Sequence, residues 1–217
     1  MEKNSKNKIN LFFCINSLQR GGAEKQLNYI TNHLSSKYNI IIFTLENAKI
    51  AYKFKSNIQI IKLNKYFLFF FVKKLFILKP QFVFFILPKS YFYFGTIMIF
   101  FPKIKKILMR RSLNYYHQNR LFRYYEIFLH KFTNFFICNS YSAKKNLIEL
   151  EFVSKKKIFV IDNYIKFKSF NAQIRNNKKF KILCISNFYK YKGHRLLLKS
   201  LSLIKTIPWE LYLMGES

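Results

Sequence analysis

Acidic residues are what this sequence has least of for its size. Nine Asp and Glu stand against 39 Lys and Arg in 217 residues, a formal charge of +30, and Asp162 is the only aspartate. So few carboxylates argue against paired-carboxylate hydrolysis and against carboxylate-built cation sites. No Ser–His–Asp arrangement and no zinc-ligand spacing can be assembled either. The three cysteines, Cys14, Cys138 and Cys184, sit singly inside apolar runs without a CxxC neighbour. They read as small buried hydrophobes of a reducing compartment. The apolar run behind Lys3, Lys6 and Lys8 is too short for a signal peptide. Lys73, Lys74, Lys79 and Lys89 cut Tyr66–Phe101 into pieces no longer than Tyr91–Phe101. A spanning helix needs about 20 apolar residues, so the segment reads as non-spanning, while lying against a membrane surface stays open.

What is present is apolar and aromatic. Hydrophobic residues make up 51% of the chain, with 27 Phe and 15 Tyr, which excludes a disordered polypeptide. The length suits one sizeable core, or one domain and part of another. Positive charge is spread throughout, +7 over residues 1–64, +14 over 65–165 and +9 over 166–217. Such a field favours anionic partners: a membrane surface, nucleic acid or phosphorylated substrates. Lys, Asn, Ile, Phe and Tyr are also the residues of A/T-rich codons, so base composition accounts for part of the excess.

The most informative stretch is Ile9–Tyr29. The apolar run Leu11–Ile15 stops at polar residues, Gly21 and Gly22 follow, and a helical pattern opens at Glu24. This predicts strand, glycine turn and helix start, where side-chain-free residues and unpaired first-turn N–H groups admit an anion. Further apolar runs at Tyr38–Leu45, Ile58–Leu63 and Phe82–Leu87 read as strands, as do Ile104–Met109, Phe135–Cys138 and Ile158–Ile161. Helices are predicted at Glu24–Ser35, Lys65–Leu78, Tyr91–Phe101, Asn119–Phe132 and Ser140–Glu151. Pro88 is read as stopping its strand. Leu121, Tyr125, Phe128, Leu129 and Phe132 are read as the core-facing side of the fourth helix. Apolar strands alternating with helices predict a Rossmann-like parallel sheet with helices on both faces, over residues 8–165. Residues 166–179 are polar and basic and read as a linker. Residues 180–217 restart the pattern: a strand at Phe180–Ile185, a helix at Lys192–Ile204 and a strand at Trp209–Met214. They are expected to be the incomplete start of a second α/β domain, since a whole one takes on the order of 100–150 residues, and to be loosely ordered or docked elsewhere, because a parallel pair under one helix buries little.

Three segments together resemble the retaining nucleotide-sugar glycosyltransferases of the two-Rossmann-domain class, in particular the family 4 group that builds bacterial lipopolysaccharide, capsule and glycolipid sugars. SLQRGGAEKQL, Ser17–Leu27, is similar to that family's first glycine loop. FFICNSYSAKKNLIE and KKIFVIDNYIKF, Phe135–Glu149 and Lys156–Phe167, are similar to the last strand–helix–strand of its N-terminal domain. ILCISNFYKYKGHRLLLKSLSLI, Ile182–Ile204, is similar to the opening of its donor domain, and WELYLMGES to that domain's next strand and glycine turn. The chain departs from the pattern at Asn163-Tyr164, where Asn-Gly is common, at Lys166, and at Ser186-Asn187, where many members carry Gly-Arg. The distal donor site, with its pair of glutamates, has no counterpart in these residues, so the resemblance implies a C-terminally truncated form, expected to be inactive as it stands.

The resemblance implies a nucleotide-sugar donor as co-substrate, no cofactor or metal, and a glycan or lipid-linked acceptor in cell-envelope glycan synthesis. It also implies a cytoplasmic location, peripheral on the inner face of the cell membrane, with an anionic membrane surface as a further partner and nucleic acid not expected. Gly21, Gly22, Lys192 and Asn187 are implied as donor diphosphate ligands. A lysine followed by a helix start at Gly193 suits a leaving phosphate. Arg110, Arg111, Ser112 and Asn114, after the strand Ile104–Met109, are candidates for binding an acceptor, with Arg111 as a candidate catalytic group. His33, His117, His130 and His194 have no partner at metal-ligand spacing, and Ser140 reads as a helix cap beside Asn139. The competing readings are a non-catalytic basic protein that binds anionic membrane or nucleic acid, and a degenerate remnant. The aromatics lie inside strand-like runs, where core packing explains them better than base stacking.

Overall fold

The computed structural model describes residues 8–63, 67–111, 119–165 and 179–215. Two compact units divide between Lys166 and Phe167. The predicted linker, apart from Lys179, lies outside the described residues, as do Ser112, Asn114 and His117.

The first unit is built on seven strands: β1 (Asn10–Ile15), β2 (Asn39–Thr44), β3 (Ile58–Lys62), β4 (Phe82–Ile86), β5 (Lys105–Arg110), β6 (Phe135–Cys138) and β7 (Ile158–Val160). They form one sheet in the order β3-β2-β1-β4-β5-β6-β7, and every neighbouring pair is parallel. Its helices are α1 (Gly22–Leu34), α2 (Phe67–Leu78), α3 (Pro88–Met98), α4 (Arg120–His130) and α5 (Tyr141–Glu149). This is the α/β Rossmann-like architecture expected from the alternation of apolar runs and helices.

Strands covered on both faces need apolar side chains at every position, not at every second one. β1 shows this: Leu11 to Ile15 are all buried. On one face Phe12 lies between Ile41 and Val83, and Cys14 between Phe43 and Phe85. α2, α3, α4 and α5 close this layer with Phe71, Phe94, Leu129 and Leu147. Its centre is a chain of aromatic contacts, Phe12–Phe43 at 4.9 Å, Phe43–Phe71 at 5.0 Å and Phe71–Phe94 at 4.7 Å. The other face is covered by Leu27 and Ile30 of α1, with Phe13 stacked on Phe84 at 4.5 Å. Each fully buried ring contributes about 1.5–3 kcal/mol relative to exposure.

Three expectations change. Pro88 does not simply end β4; it opens α3, because proline at the first helical position gives up an N–H that has no helical partner anyway. α3 therefore begins before Tyr91 and ends at Met98, and tighter i→i+3 bonds carry the chain on to Phe101. The second change is in α4, whose buried residues are Glu126, Leu129 and His130, while Leu121, Tyr125, Phe128 and Phe132 are exposed. The third is that β5 runs on through Arg110, which is buried.

The second unit holds β8 (Phe180–Ile185) and β9 (Trp209–Met214), a parallel pair, with α6 (His194–Ser202) between them in sequence. Leu201 is the only buried hydrophobic residue among its described residues. At the end of β9, a Cβ on Gly215 would run into the Ser186 carbonyl, so this turn requires glycine.

Candidate functional site

In a doubly wound sheet the carboxyl ends of the strands are where loops diverge and ligands enter. Here an open cleft of about 300 Å³ lies at those ends. Gly22, Ala23 and Glu24 from the start of α1 line it, with Leu87 after β4, Arg111 after β5, Asn139 after β6 and Asn163 after β7. Five segments from separate parts of the sequence thus converge on one place.

The glycine turn has a specific geometry. Gly21 is extended and precedes the first residue of α1. Its N–H donates to the Tyr52 hydroxyl at 3.1 Å, and that hydroxyl donates to the Gly21 carbonyl at 2.9 Å. A Cβ on Gly21 would overlap the Glu24 carboxylate, so the side chain that glycine lacks leaves the space this carboxylate fills. Gly22, by contrast, is exposed and has open space where a Cβ would stand. The expected pair of glycines is therefore unequal: the Gly21 amide is engaged, and Gly22 borders the cleft. Burial raises the Glu24 carboxyl above its ordinary value, and a hydrogen bond with its own backbone partly offsets this.

Leu87 has φ 70°, a conformation that L-residues with branched side chains rarely adopt. It is held there between the end of β4 and Pro88, while the Ser90 amide donates to Asn16 Oδ1 at 2.9 Å and fixes the start of α3 against the end of β1. Backbone strain of this kind costs on the order of 1–3 kcal/mol and gathers at ligand sites.

Arg111 supplies the cleft's cation. Its Nη1 donates to Asn163 Oδ1 at 2.9 Å, and its backbone carbonyl accepts from Asn139 Nδ2 at 3.2 Å. Desolvation lowers its pKa, and its buried Nε has no hydrogen-bond partner among the described residues. A guanidinium this short of acceptors beside two carboxamides and a carboxylate can bind an anionic oxygen and orient hydroxyl groups.

Arg110, expected beside it as a second acceptor-binding cation, has turned inward. It is held by Glu126 at 3.1 Å and by a close ion pair with Glu151. His130 Nε2 lies 2.7 Å from Glu151, and its Nδ1 lies 2.9 Å from the Tyr91 hydroxyl, which also meets Thr133. Burial pushes the Tyr91 phenol far above its usual range. Glu126, His130 and Glu151 place ligand-type atoms within 4.8 Å of one another, a donor set a divalent cation could use. The Arg110 guanidinium already bridges both carboxylates, so the chain itself supplies the positive charge. The sequence reading missed this cluster. Glu126 and His130 at i and i+4 on α4 were the visible signal; Glu151 comes from beyond α5 and has none.

Of the remaining candidates, Ser140 caps α5 by accepting from the Ala143 amide at 3.2 Å. In the second unit, Lys192 is exposed at the end of a 3-10 turn, Lys190–Lys192, with its ammonium 5.2 Å from the Tyr191 ring centre. Gly193 follows with φ 77° and starts α6, so the lysine–glycine helix start is present. The Asn187 carbonyl accepts from the Tyr189 amide. His194 meets Ser186 Oγ at 3.0 Å and packs on Phe188.

Neither a protein-family model nor a curated protein matches the sequence. Solved structures do match in fold. HepE of Anabaena, in complex with UDP-glucose, has a TM-score of 0.74 at 14% identity over 96% of this chain and 61% of its own. A glycosyltransferase from Rickettsia africae gives 0.66 at 16% identity, over 96% and 61%. A putative UDP-N-acetylglucosamine 2-epimerase from Listeria monocytogenes gives 0.60 at 12% identity, over 95% and 62%. The chain thus spans about three fifths of the length of these proteins, and it shares their fold.

Proposed function

We propose that this chain takes part in sugar transfer from a nucleotide-sugar, in the manner of the retaining two-domain glycosyltransferases of the family 4 group, to a glycan or lipid-linked acceptor of the cell envelope. The observation that carries the proposal is the cleft at the carboxyl ends of β1, β4, β5, β6 and β7, where a glycine turn, an arginine whose buried Nε has no partner among the described residues, and two carboxamides converge. HepE, similar in fold, binds UDP-glucose. In this reading Gly21 and Gly22 are candidate diphosphate ligands of the first unit, and Lys192 and Asn187 are, separately, candidate diphosphate ligands of the second. Arg111 binds an oxygen of the acceptor and is the candidate catalytic group, acting by neutralising charge. Arg110 serves from behind, fixing the end of β5 from which Arg111 projects, and Asn114 remains a proposed acceptor ligand.

The test is calorimetric titration of UDP, UDP-glucose and a sugar phosphate as acceptor analogue into the 217-residue chain and its variants. Arg111→Ala is expected to weaken binding of an acceptor-like sugar phosphate about tenfold or more, as removal of a charge-assisted contact does. Lys192→Ala is expected to weaken UDP by a similar factor and to leave the acceptor analogue unaffected. Binding of neither ligand class, or binding indifferent to both substitutions, would overturn the assignment.

A further inference from the structure

An open cavity of about 360 Å³ lies where the chain passes from β8 to α6, lined by Phe188, Tyr189, Lys190, His194 and Arg195. Three of these side chains are basic and two are aromatic. Lys192 is not among them; its ammonium lies over the Tyr191 ring. The one described acid of this unit, Glu210, stands opposite Lys181 near the amino ends of the two strands and is paired with Lys179. The cavity, at the carboxyl end of β8, therefore gathers positive charge with no described carboxylate to balance it.

His194 is set in place by two contacts. Its Nε2 lies 3.0 Å from Ser186 Oγ, and its ring packs on Phe188 with centroids 5.2 Å apart. Ser186 is itself fixed, since its amide donates to the Met214 carbonyl at 2.9 Å, and its hydroxyl lies 3.8 Å from Cys184 Sγ. A hydroxyl both donates and accepts. It can donate to a neutral imidazole and accept from a protonated one, so the ring keeps this bond through a change of charge. Its Nδ1 has no partner among the described residues. His194 is also the first residue of α6, which starts at Gly193 without a side-chain cap and so leaves first-turn N–H groups for a ligand. The charged and titratable groups around the ring are Lys190 from the 3-10 turn, Arg195 from α6 and the Cys184 thiol from β8; the carboxyl end of β9 offers only Leu213 and Met214. Imidazole is the side chain that ordinarily changes charge near neutrality. An anion entering beside two fixed cations favours the protonated ring.

We propose that this cavity is a proton-coupled anion site: a phosphate group binds between Lys190, Arg195 and His194 Nδ1, and the ring takes up a proton from solvent as it does so. The inference rests on the reading that the second unit holds a donor diphosphate. It adds that His194 is a ligand and that binding there is gated by pH.

The experiment is calorimetric titration of UDP-glucose, whose diphosphate has no ionisation near neutrality, into the 217-residue chain. Affinity is expected to fall about tenfold as pH rises from about 5 to about 8, where imidazole loses its charge. In two buffers of different ionisation heat, at the middle of that interval, binding should take up part of a proton. This uptake is read on the wild type, so the test survives a substitution that disturbs the unit. His194→Gln should lose both the pH dependence and the uptake. His194→Lys, charged throughout, should bind at high pH about as tightly as the wild type does at low pH, which an imidazole with a merely structural role would not give. His33→Gln, on α1 of the first unit, should change neither. Sulfate, a probe without nucleoside or sugar, should shift the His194 imidazole resonances in NMR spectra at low pH and much less at high pH. That result without any UDP-glucose binding would support the anion site and overturn the nucleotide-sugar reading alone. UDP-glucose binding that is independent of pH and takes up no proton, or that keeps both behaviours in His194→Gln, would overturn the inference and leave the donor reading standing. Sulfate that leaves His194 unmoved at low pH would overturn it as well.

Discussion

β1 in the first unit and β8 in the second carry the same local signature: a six-residue apolar strand followed downstream by a helix that begins at a glycine, Gly21 before α1 and Gly193 before α6. Their fates differ. β1 has a strand on each side and helices over both faces, and Leu11 to Ile15 are all buried. β8 has β9 alone in its sheet, and Phe180, Leu183 and Ile185 stay more than half exposed. The hydrophobic effect rewards area removed from water, and a strand removes area only when neighbours arrive on both edges and both faces. A strand–glycine–helix signature therefore specifies local structure, while the number of its neighbours specifies stability.

The largest consequence is in local opening. Amides of β1, β4 and β5 are expected to exchange with solvent only through unfolding of the first unit, whereas those of β8 and β9 exchange by orders of magnitude faster, as few buried contacts allow. Hydrogen-exchange mass spectrometry checks this, and equal protection in the two units would break the comparison. Next in size is the charge cluster. Arg110→Ala removes the guanidinium that bridges buried Glu126 and Glu151 and is expected to destabilise the first unit by about 3–5 kcal/mol in urea titration. Lys192→Ala, on an exposed side chain of the second unit, is expected to change stability by less than about 0.5 kcal/mol. A chelator is expected to leave the wild-type transition in place, because the Arg110 guanidinium bridges both carboxylates.

The smallest effect is expected at Glu24. Its carboxyl titrates above the ordinary carboxylate range in the fold because it is partly buried, so the folded protein holds this proton more tightly than the unfolded chain. Stability from this group is therefore lost as pH rises from the ordinary carboxylate range through the raised folded value, and regained as pH falls. Glu24→Gln should be slightly more stable than wild type at neutral pH, with the advantage fading in acid. Thermal melts at several pH values test it, and a Gln variant that gains stability in acid instead would reverse the sign.

Much of the first unit was legible because its strands are two-sided. Continuous apolar runs such as Leu11–Ile15 and Phe82–Ile86 leave few alternatives to a parallel sheet, and the glycines at 21 and 22 marked the turn that borders the cleft. α4 was misread for an identifiable reason. Periodicity finds an apolar stripe but not the direction it faces, and a stripe normally turned inward was displaced by Glu126 and His130. Arg110 and Arg111 are adjacent in sequence and looked equivalent. Arg110 is the last residue of β5 and is buried, whereas Arg111 follows the strand and lines the cleft, a boundary the sequence does not mark.

By itself, then, the sequence determined the order of strands and helices, their parallel arrangement and the excess of positive charge, since these depend on local pattern and composition. The tertiary structure alone decided which polar residues went inside and which apolar ones stayed out. Glu151 reaches Arg110 across 41 residues, Asn163 reaches Arg111 across 52, and Tyr52 reaches Gly21 across 31. Contacts of such separation leave no periodic trace. They exist because the parallel sheet brings the carboxyl ends of distant strands together, and because a buried charge is stable only where a partner of opposite sign has been brought to it.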